Sequence, residues 1–178
     1  MTAAEARALI AHPSLGTGGP QTWADLGCGR GAFTLALASL LPAGSTIHAV
    51  DTDRAAVSAL PRERGGVRIL PHAADFTDTP WPFDGLHGVL MANSLHYVRN
   101  HAAFLDRVVA AMHAPRLILV EYDTDAANAW VPFPLSRARA AQRCAGAGLT
   151  ALIELGRRPS MLRRAGLYAV LATRAPRA

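Results

Sequence analysis

Five apolar runs of strand length recur along the first two thirds of the chain with helix-like segments between them. The runs are "TWADLG" (22–27), "STIHAVD" (45–51), "VRILPH" (67–72), "GLHGVLMAN" (85–93) and "RLILVEY" (116–122). Helical patterns occupy 31–41, 53–60 and 101–113, and a polar, proline-containing connection lies near 76–84. Near-continuous apolar strands alternating with helices specify a parallel sheet covered on both faces. In the 101–113 helix, Phe104, Leu105, Val108, Val109 and Met112 fall on one stripe, which marks a core face.

The last third changes character. A helix at 134–148 runs into Gly146 and Gly148, both good stop signals. Two strands follow, at 149–155 and 166–174, joined by "GRRPSMLRRA". That link is too short to require a crossover helix, so the two strands are expected to pair antiparallel. A short helix at 2–11 and a Gly/Pro loop precede the first strand. The expectation is one α/β domain over 1–178, with a sheet of seven strands, mostly parallel, and one antiparallel strand near the end. Its parts are an N-terminal helix and loop (1–20), a ligand-binding core (21–123), and the last helix with the final strand pair (124–178).

In such a sheet a ligand binds at the carboxyl ends of the strands, where strand order reverses. The first strand runs into "DLGCGRG", with Gly27, Gly29 and Gly31 at every second position after Asp25. Bare backbone there lets a ligand press against the turn, since a Cβ would clash. Dinucleotides and S-adenosylmethionine both use a turn of this kind. The dinucleotide spacing is G-x-G-x-x-G, whereas Ala32 and Phe33 follow Gly31 here. Asp51, ending the second strand, suits the ribose hydroxyls of either ligand. Asp75 and Phe76, after the third strand, suit the amino group and face of adenine. Asp25, expected beside the glycines at the mouth of the turn, separates the two classes: a carboxylate there repels pyrophosphate and attracts an ammonium or sulfonium, which favours S-adenosylmethionine.

"ADLGCGRG", "AVDTD", "AADFTD" and "LMANSLHYV", in that order, resemble the successive motifs of class I S-adenosylmethionine-dependent methyltransferases. The resemblance covers residues 22–123, and the last helix and strand pair look like that family's ending. It implies a three-layer, Rossmann-like fold and methyl transfer to an oxygen, nitrogen or carbon nucleophile, with S-adenosylhomocysteine as product. It also assigns positions. Gly27 and Gly29 would lie under the methionine part of the cofactor, Cys28 and Gly31 would belong to the same cofactor-binding turn, and Asp25 would bind the amino group directly or through water. Asp51 would hold the ribose, Thr52 would pack beside the adenine, Asp75 and Phe76 would read the base, and the Asn93 carbonyl would face the amino group. Nucleobase amino-methylating enzymes resemble one another in an Asn/Asp-Pro-Pro-aromatic stretch where this chain has Asn93, Ser94, Leu95 and His96, so DNA adenine methylation is not expected.

His96 and Tyr97 follow the fourth strand, where this fold places the transferable methyl. His96 could serve as a general base, or both could pack locally at the start of the next helix. Alignment alone carries many methyl transfers, so positioning is favoured over proton abstraction and His96→Ala is expected to cause a modest loss. Cys28 invites a nucleophile reading, but the family often has a small packing cysteine there and no histidine spacing supports activation. Glu121, Tyr122 and Asp123, with "AANAWVPFP" after them, either line an acceptor pocket or, through Trp130 and Phe133, cap the core. No metal is expected, since the histidines lack ligand spacing.

Charge is uneven along the chain. Residues 1–125 carry nine arginines and twelve carboxylates, a net of −3; residues 126–178 carry nine arginines and one carboxylate, Glu154, a net of +8. Such asymmetry can serve RNA or a partner protein. It also arises from composition alone, because the chain has eighteen arginines and no lysine. No aromatic residues interleave with the arginines as stacking platforms would. The acceptor is therefore read as a small molecule, with RNA the lesser possibility. Little insertion between the core elements leaves an open pocket, or one that a second copy of the chain completes. The two cysteines are too few for a disulfide framework, no signal peptide or membrane span is legible, and a cytoplasmic protein is expected. Two rivals stand beside the enzyme: a non-catalytic S-adenosylmethionine-binding module, and an NAD-dependent oxidoreductase.

Overall fold

The computed structural model describes residues 1–78, 80–159 and 165–175. Eight strands form one sheet: β1 (Thr22–Leu26), β2 (Thr46–Asp51), β3 (Glu63–Arg64), β4 (Val67–Ala73), β5 (Gly88–Ala92), β6 (Arg116–Tyr122), β7 (Ala151–Arg158) and β8 (Leu167–Thr173). Their order is β3-β4-β2-β1-β5-β6-β8-β7. β4, β2, β1, β5 and β6 run parallel, and β8 is antiparallel to both of its neighbours. The strand beyond the expected seven is β3, a two-residue antiparallel edge on β4. Gly65 and Gly66, at φ 59° and 77°, make its tight turn, a geometry that other residues strain to adopt. The link between the last two strands, expected over 156–165, lies partly outside the described residues.

Helices cover both faces. On one side lie α1 (Ala3–Ile10), α2 (Ala32–Ala38) and α3 (Arg54–Ser58); on the other lie α4 (His101–Ala110) and α5 (Arg137–Gly146). Side chains alternate along the strands between these layers: Trp23, Ile118 and Val120 pack toward α1 and α2, while Ala24, Leu26, Leu117 and Leu119 pack toward α4 and α5. The stripe Phe104, Leu105, Val108, Val109 and Met112 is buried, as is Cys144 of α5, whose thiol burial pushes up to about 11. The order reverses between β1 and β5. The carboxyl ends of these two strands therefore open the crevice where this class of sheet holds its ligands.

Candidate active site

The turn from β1 to α2 sits at that crevice. Gly27, Gly29 and Gly31 all take left-handed φ values, +83°, +50° and +80°. A Cβ on Gly27 would stand 2.4 Å from the Ser94 Cβ and 3.4 Å from Phe76 Cε1, so these three residues converge. A Cβ on Gly29 would meet nothing within 4 Å. The N–H groups of Gly27 and Cys28 donate to the Val50 carbonyl at 2.8 and 3.0 Å, and that of Gly29 donates to Asp51 Oδ2 at 2.8 Å. The bare turn is thereby fastened to the end of β2. Asp51 also accepts from the Asp53 N–H at 2.9 Å, which fixes its carboxylate at the rim.

Asp25 stands elsewhere than the sequence suggests. It lies within β1, fully buried on the α2 side, rather than at the mouth of the turn. Thr34 Oγ1 of α2 donates to its Oδ2 at 2.6 Å, and its Oδ1 has no donor. Burial raises its pKa to about 7; the Thr34 hydrogen bond works against that rise and the Asp51 charge adds to it. A carboxyl that titrates higher folded than unfolded holds its proton more tightly in the native state. Stability is then greatest below the unfolded value near 4, falls as pH rises to about 7, and levels off above, the full loss being ~4 kcal/mol. Asp25→Asn is expected to flatten this slope in denaturant titrations between pH 4 and 8. An unchanged slope would reassign the titration.

The remaining sequence-derived positions divide. Phe76 is buried beside the glycine turn and meets the Phe104 ring edge-on at 5.8 Å. Asn93 ends β5 in a left-handed conformation (φ 55°) rare for a non-glycine residue, and its Oδ1 is buried without a donor. Backbone strain of this kind gathers at ligand sites. Asp75 is exposed, its Oδ1 accepting from the N–H and hydroxyl of Thr77 at 2.8 and 2.7 Å. Thr52 is exposed on the rim. Cys28 is largely buried, and burial followed by the charges of Asp25 and Asp51 drives its thiol pKa far up, which disfavours the thiolate.

His96 is buried, 2% exposed, in a short 3₁₀ turn over Leu95–Tyr97. Its Nδ1 lies 2.6 Å from Oε2 of Glu121, and its backbone N–H donates to Oε1 of the same carboxylate at 3.2 Å. A carboxylate only accepts, so Nδ1 is the ring nitrogen that donates to it. Glu121, 1% exposed, is the last residue but one of β6 and is turned toward α4 and α5. Tyr97 is 52% exposed, its ring 4.4 Å from that of His96. Three partners escaped sequence reading: Thr34, Glu121 as the mate of His96, and Ser94, which donates to the Leu26 carbonyl at 2.6 Å and locks the ends of β1 and β5 together. Glu121 carried a signal, since a lone carboxylate in an apolar strand needs a buried mate. Trp130 is 71% exposed and so does not cap the core.

Among the described residues, four arginines of the basic last third are paired in space. Arg137 and Arg157 meet Glu154, Arg157 also meets Asp123, Arg139 meets Asp125, and Arg158 meets Glu5 at 2.7 Å. The Arg158 hydrogen bond holds the Glu5 carboxyl down at about 2. Among the described residues no cluster of three or more His, Cys, Asp or Glu is placed to hold a metal ion, and no helix is long and apolar enough to cross a membrane.

Comparison with solved structures finds the same architecture. The YcgJ protein of Bacillus subtilis superposes with a TM-score of 0.68 at 12% identity, over 92% of this chain and 96% of its own. A Burkholderia thailandensis 1,6-didemethyltoxoflavin-N1-methyltransferase, holding 1,6-didemethyltoxoflavin and S-adenosylhomocysteine, gives 0.71 at 21% identity over 98% and 78%. Magnesium protoporphyrin IX methyltransferase of Synechocystis PCC 6803, with bound S-adenosylmethionine, gives 0.61 at 15% identity over 88% and 71%. At such identities these likenesses establish the fold. A sequence comparison with curated proteins finds no match. A family profile described as "Methyltransferase domain" matches residues 24–114, which span the glycine turn, Asp51, Phe76 and His96. The chain belongs to that methyltransferase-domain family.

Proposed function

We propose that this chain is an S-adenosylmethionine-dependent methyltransferase acting on a nucleophilic oxygen, nitrogen or carbon of a small molecule. The observation that carries the cofactor assignment is a bare glycine turn at the switch point of the sheet, with Asp51 fixed at its rim and a buried acceptor without a donor, Asn93 Oδ1, in the segment that packs against it. A buried acceptor left unpaired costs about 1–3 kcal/mol, so the site favours a ligand that brings N–H donors and positive charge. The phosphates of a pyrophosphate bring only acceptors. This supports the amino-acid end of S-adenosylmethionine over NAD, and it does so without Asp25 standing at the mouth. Asp51 would hold the ribose from the rim, and Phe76 would pack toward the base. Relatives with S-adenosylmethionine or S-adenosylhomocysteine bound in the same fold, and with small acceptors, support the reading.

When bound, the cofactor supplies a methyl group made electrophilic by the positive sulfur that carries it. His96 Nε2 takes the proton of an acceptor X–H, while Glu121 fixes the ring and its tautomer through Nδ1. Phe76, buried beside Gly27, keeps water from that side of the turn. Asp51→Ala is expected to abolish the thermal shift that S-adenosylhomocysteine gives the wild type, a stabilisation of ~3 kcal/mol at a hundredfold excess over Kd. NAD should give no shift. A shift with NAD alone would replace this reading by the oxidoreductase one. Unchanged S-adenosylhomocysteine affinity in Asp51→Ala would remove the ribose assignment.

A further inference from the structure

A cavity of about 330 Å³ lies at the same edge of the sheet, between the segment after β5, the segment after β6, and α5. Its walls carry Arg99, Arg139 and Arg143, with Asp125 the one carboxylate, and Phe133 and His101 complete it. Asp125 pairs with Arg139 at 3.2 Å, both side chains about half exposed, and such a pair is weakly held. No ion-pair partner of Arg99 or Arg143 stands among the described residues. The Arg99 guanidinium rides over the Phe133 ring, 5.5 Å from its centroid, which restricts the fork. His101 Nε2 is buried without a partner. Burial presses His101 below its ordinary value against the pull of the Leu95 carbonyl, and the Arg143 and Arg139 charges press the same way. The cavity thus gathers three cations around one weakly bound carboxylate.

It also touches the catalytic pair. The Phe133 N–H donates to the His96 carbonyl at 3.0 Å, so cavity wall and His96 backbone are joined directly. We propose that this cavity receives the anionic group, a carboxylate or a phosphate, of the methyl acceptor, with Arg99 and Arg143 as the forks that grip it. Guanidinium forks match the paired oxygens of either group, and the volume sits at the small end of ligand pockets. The acceptor class is then a small organic acid or phosphate ester whose body lies against Phe133. This rests on the methyl-transfer reading above.

Phenyl phosphate and benzoate, titrated by calorimetry into protein with and without S-adenosylhomocysteine, test it. One of them is expected to saturate the wild type. Arg143→Gln and Arg99→Gln, both at exposed side chains, should weaken that binding about 10-fold or more each while leaving melting temperature and S-adenosylhomocysteine affinity unchanged. No saturable binding of either probe, or equal binding in the variants, overturns the anion site. Failure of S-adenosylhomocysteine to bind would sink the cofactor reading instead, and the titration without it would still judge the cavity. Radiolabelled transfer to a metabolite extract adds the chemistry: labelled product should be retained on an anion exchanger, and label confined to the unretained fraction overturns the acceptor class.

Discussion

Glu121→Gln is expected to lower methyl transfer about 10²-fold through kcat, with affinity for S-adenosylhomocysteine unchanged. The amide is the same size and can still meet His96 Nδ1, so the buried site stays filled. It also brings an N–H₂ group that can donate, and the ring then has reason to place its proton on Nε2, the nitrogen that must be bare. His96→Ala should cost as much, and the double variant little more than His96→Ala alone, because two residues acting as one unit do not add. Transfer to a metabolite extract, followed with labelled methyl, gives the comparison. Wild-type turnover in both single variants would show that alignment alone drives the reaction and that His96 and Glu121 only pack. Glu121→Leu is the harsher test of stability: stripping a buried pair of one partner costs about 3–5 kcal/mol.

Gly27→Ala and Gly29→Ala should part company. At Gly27 the new methyl meets the Ser94 Cβ at 2.4 Å on a backbone of φ +83°. Strain and overpacking together predict a loss of about 2–5 kcal/mol in chemical denaturation, with cofactor binding lost alongside. At Gly29 the methyl enters open space at φ +50°, so folding should suffer by only about 1 kcal/mol. S-adenosylhomocysteine affinity should nonetheless collapse there, because on the proposed reading that open space is where the ligand would lie. Normal affinity in Gly29→Ala would move the ligand off the turn.

Much of the fold was legible because its strands are buried on both faces and read as continuous apolar runs. The glycine turn, Asp51 and Phe76 were legible as motifs in order. The edge strand β3 was missed because Glu63 and Arg64 are two charged residues with no apolar pattern, although Gly65-Gly66 before Val67 was a hairpin signal. Asp25 was placed at the mouth by analogy with charge at a ligand site, yet it belongs to a strand enclosed on both sides, where any carboxyl is buried. The union of His96 with Glu121 spans 25 residues of sequence and depends on β5 and β6 lying side by side, which spacing alone does not reveal. Charge was misleading in the same way. Net values per segment ignore that Glu5, Asp123 and Asp125 come from the acidic part and sit on arginines of the basic part.

That interleaving bears on how the molecule can be cut. β8 lies between β6 and β7 in the sheet, and the arginines around it answer acids that belong to the opening helix and to the end of β6. A fragment stopping at residue 125 would strand three carboxylates and uncover the flank of β6. Expressed alone, it would invite aggregation rather than behave as a trimmed enzyme. Those four paired arginines are masonry rather than a removable sleeve.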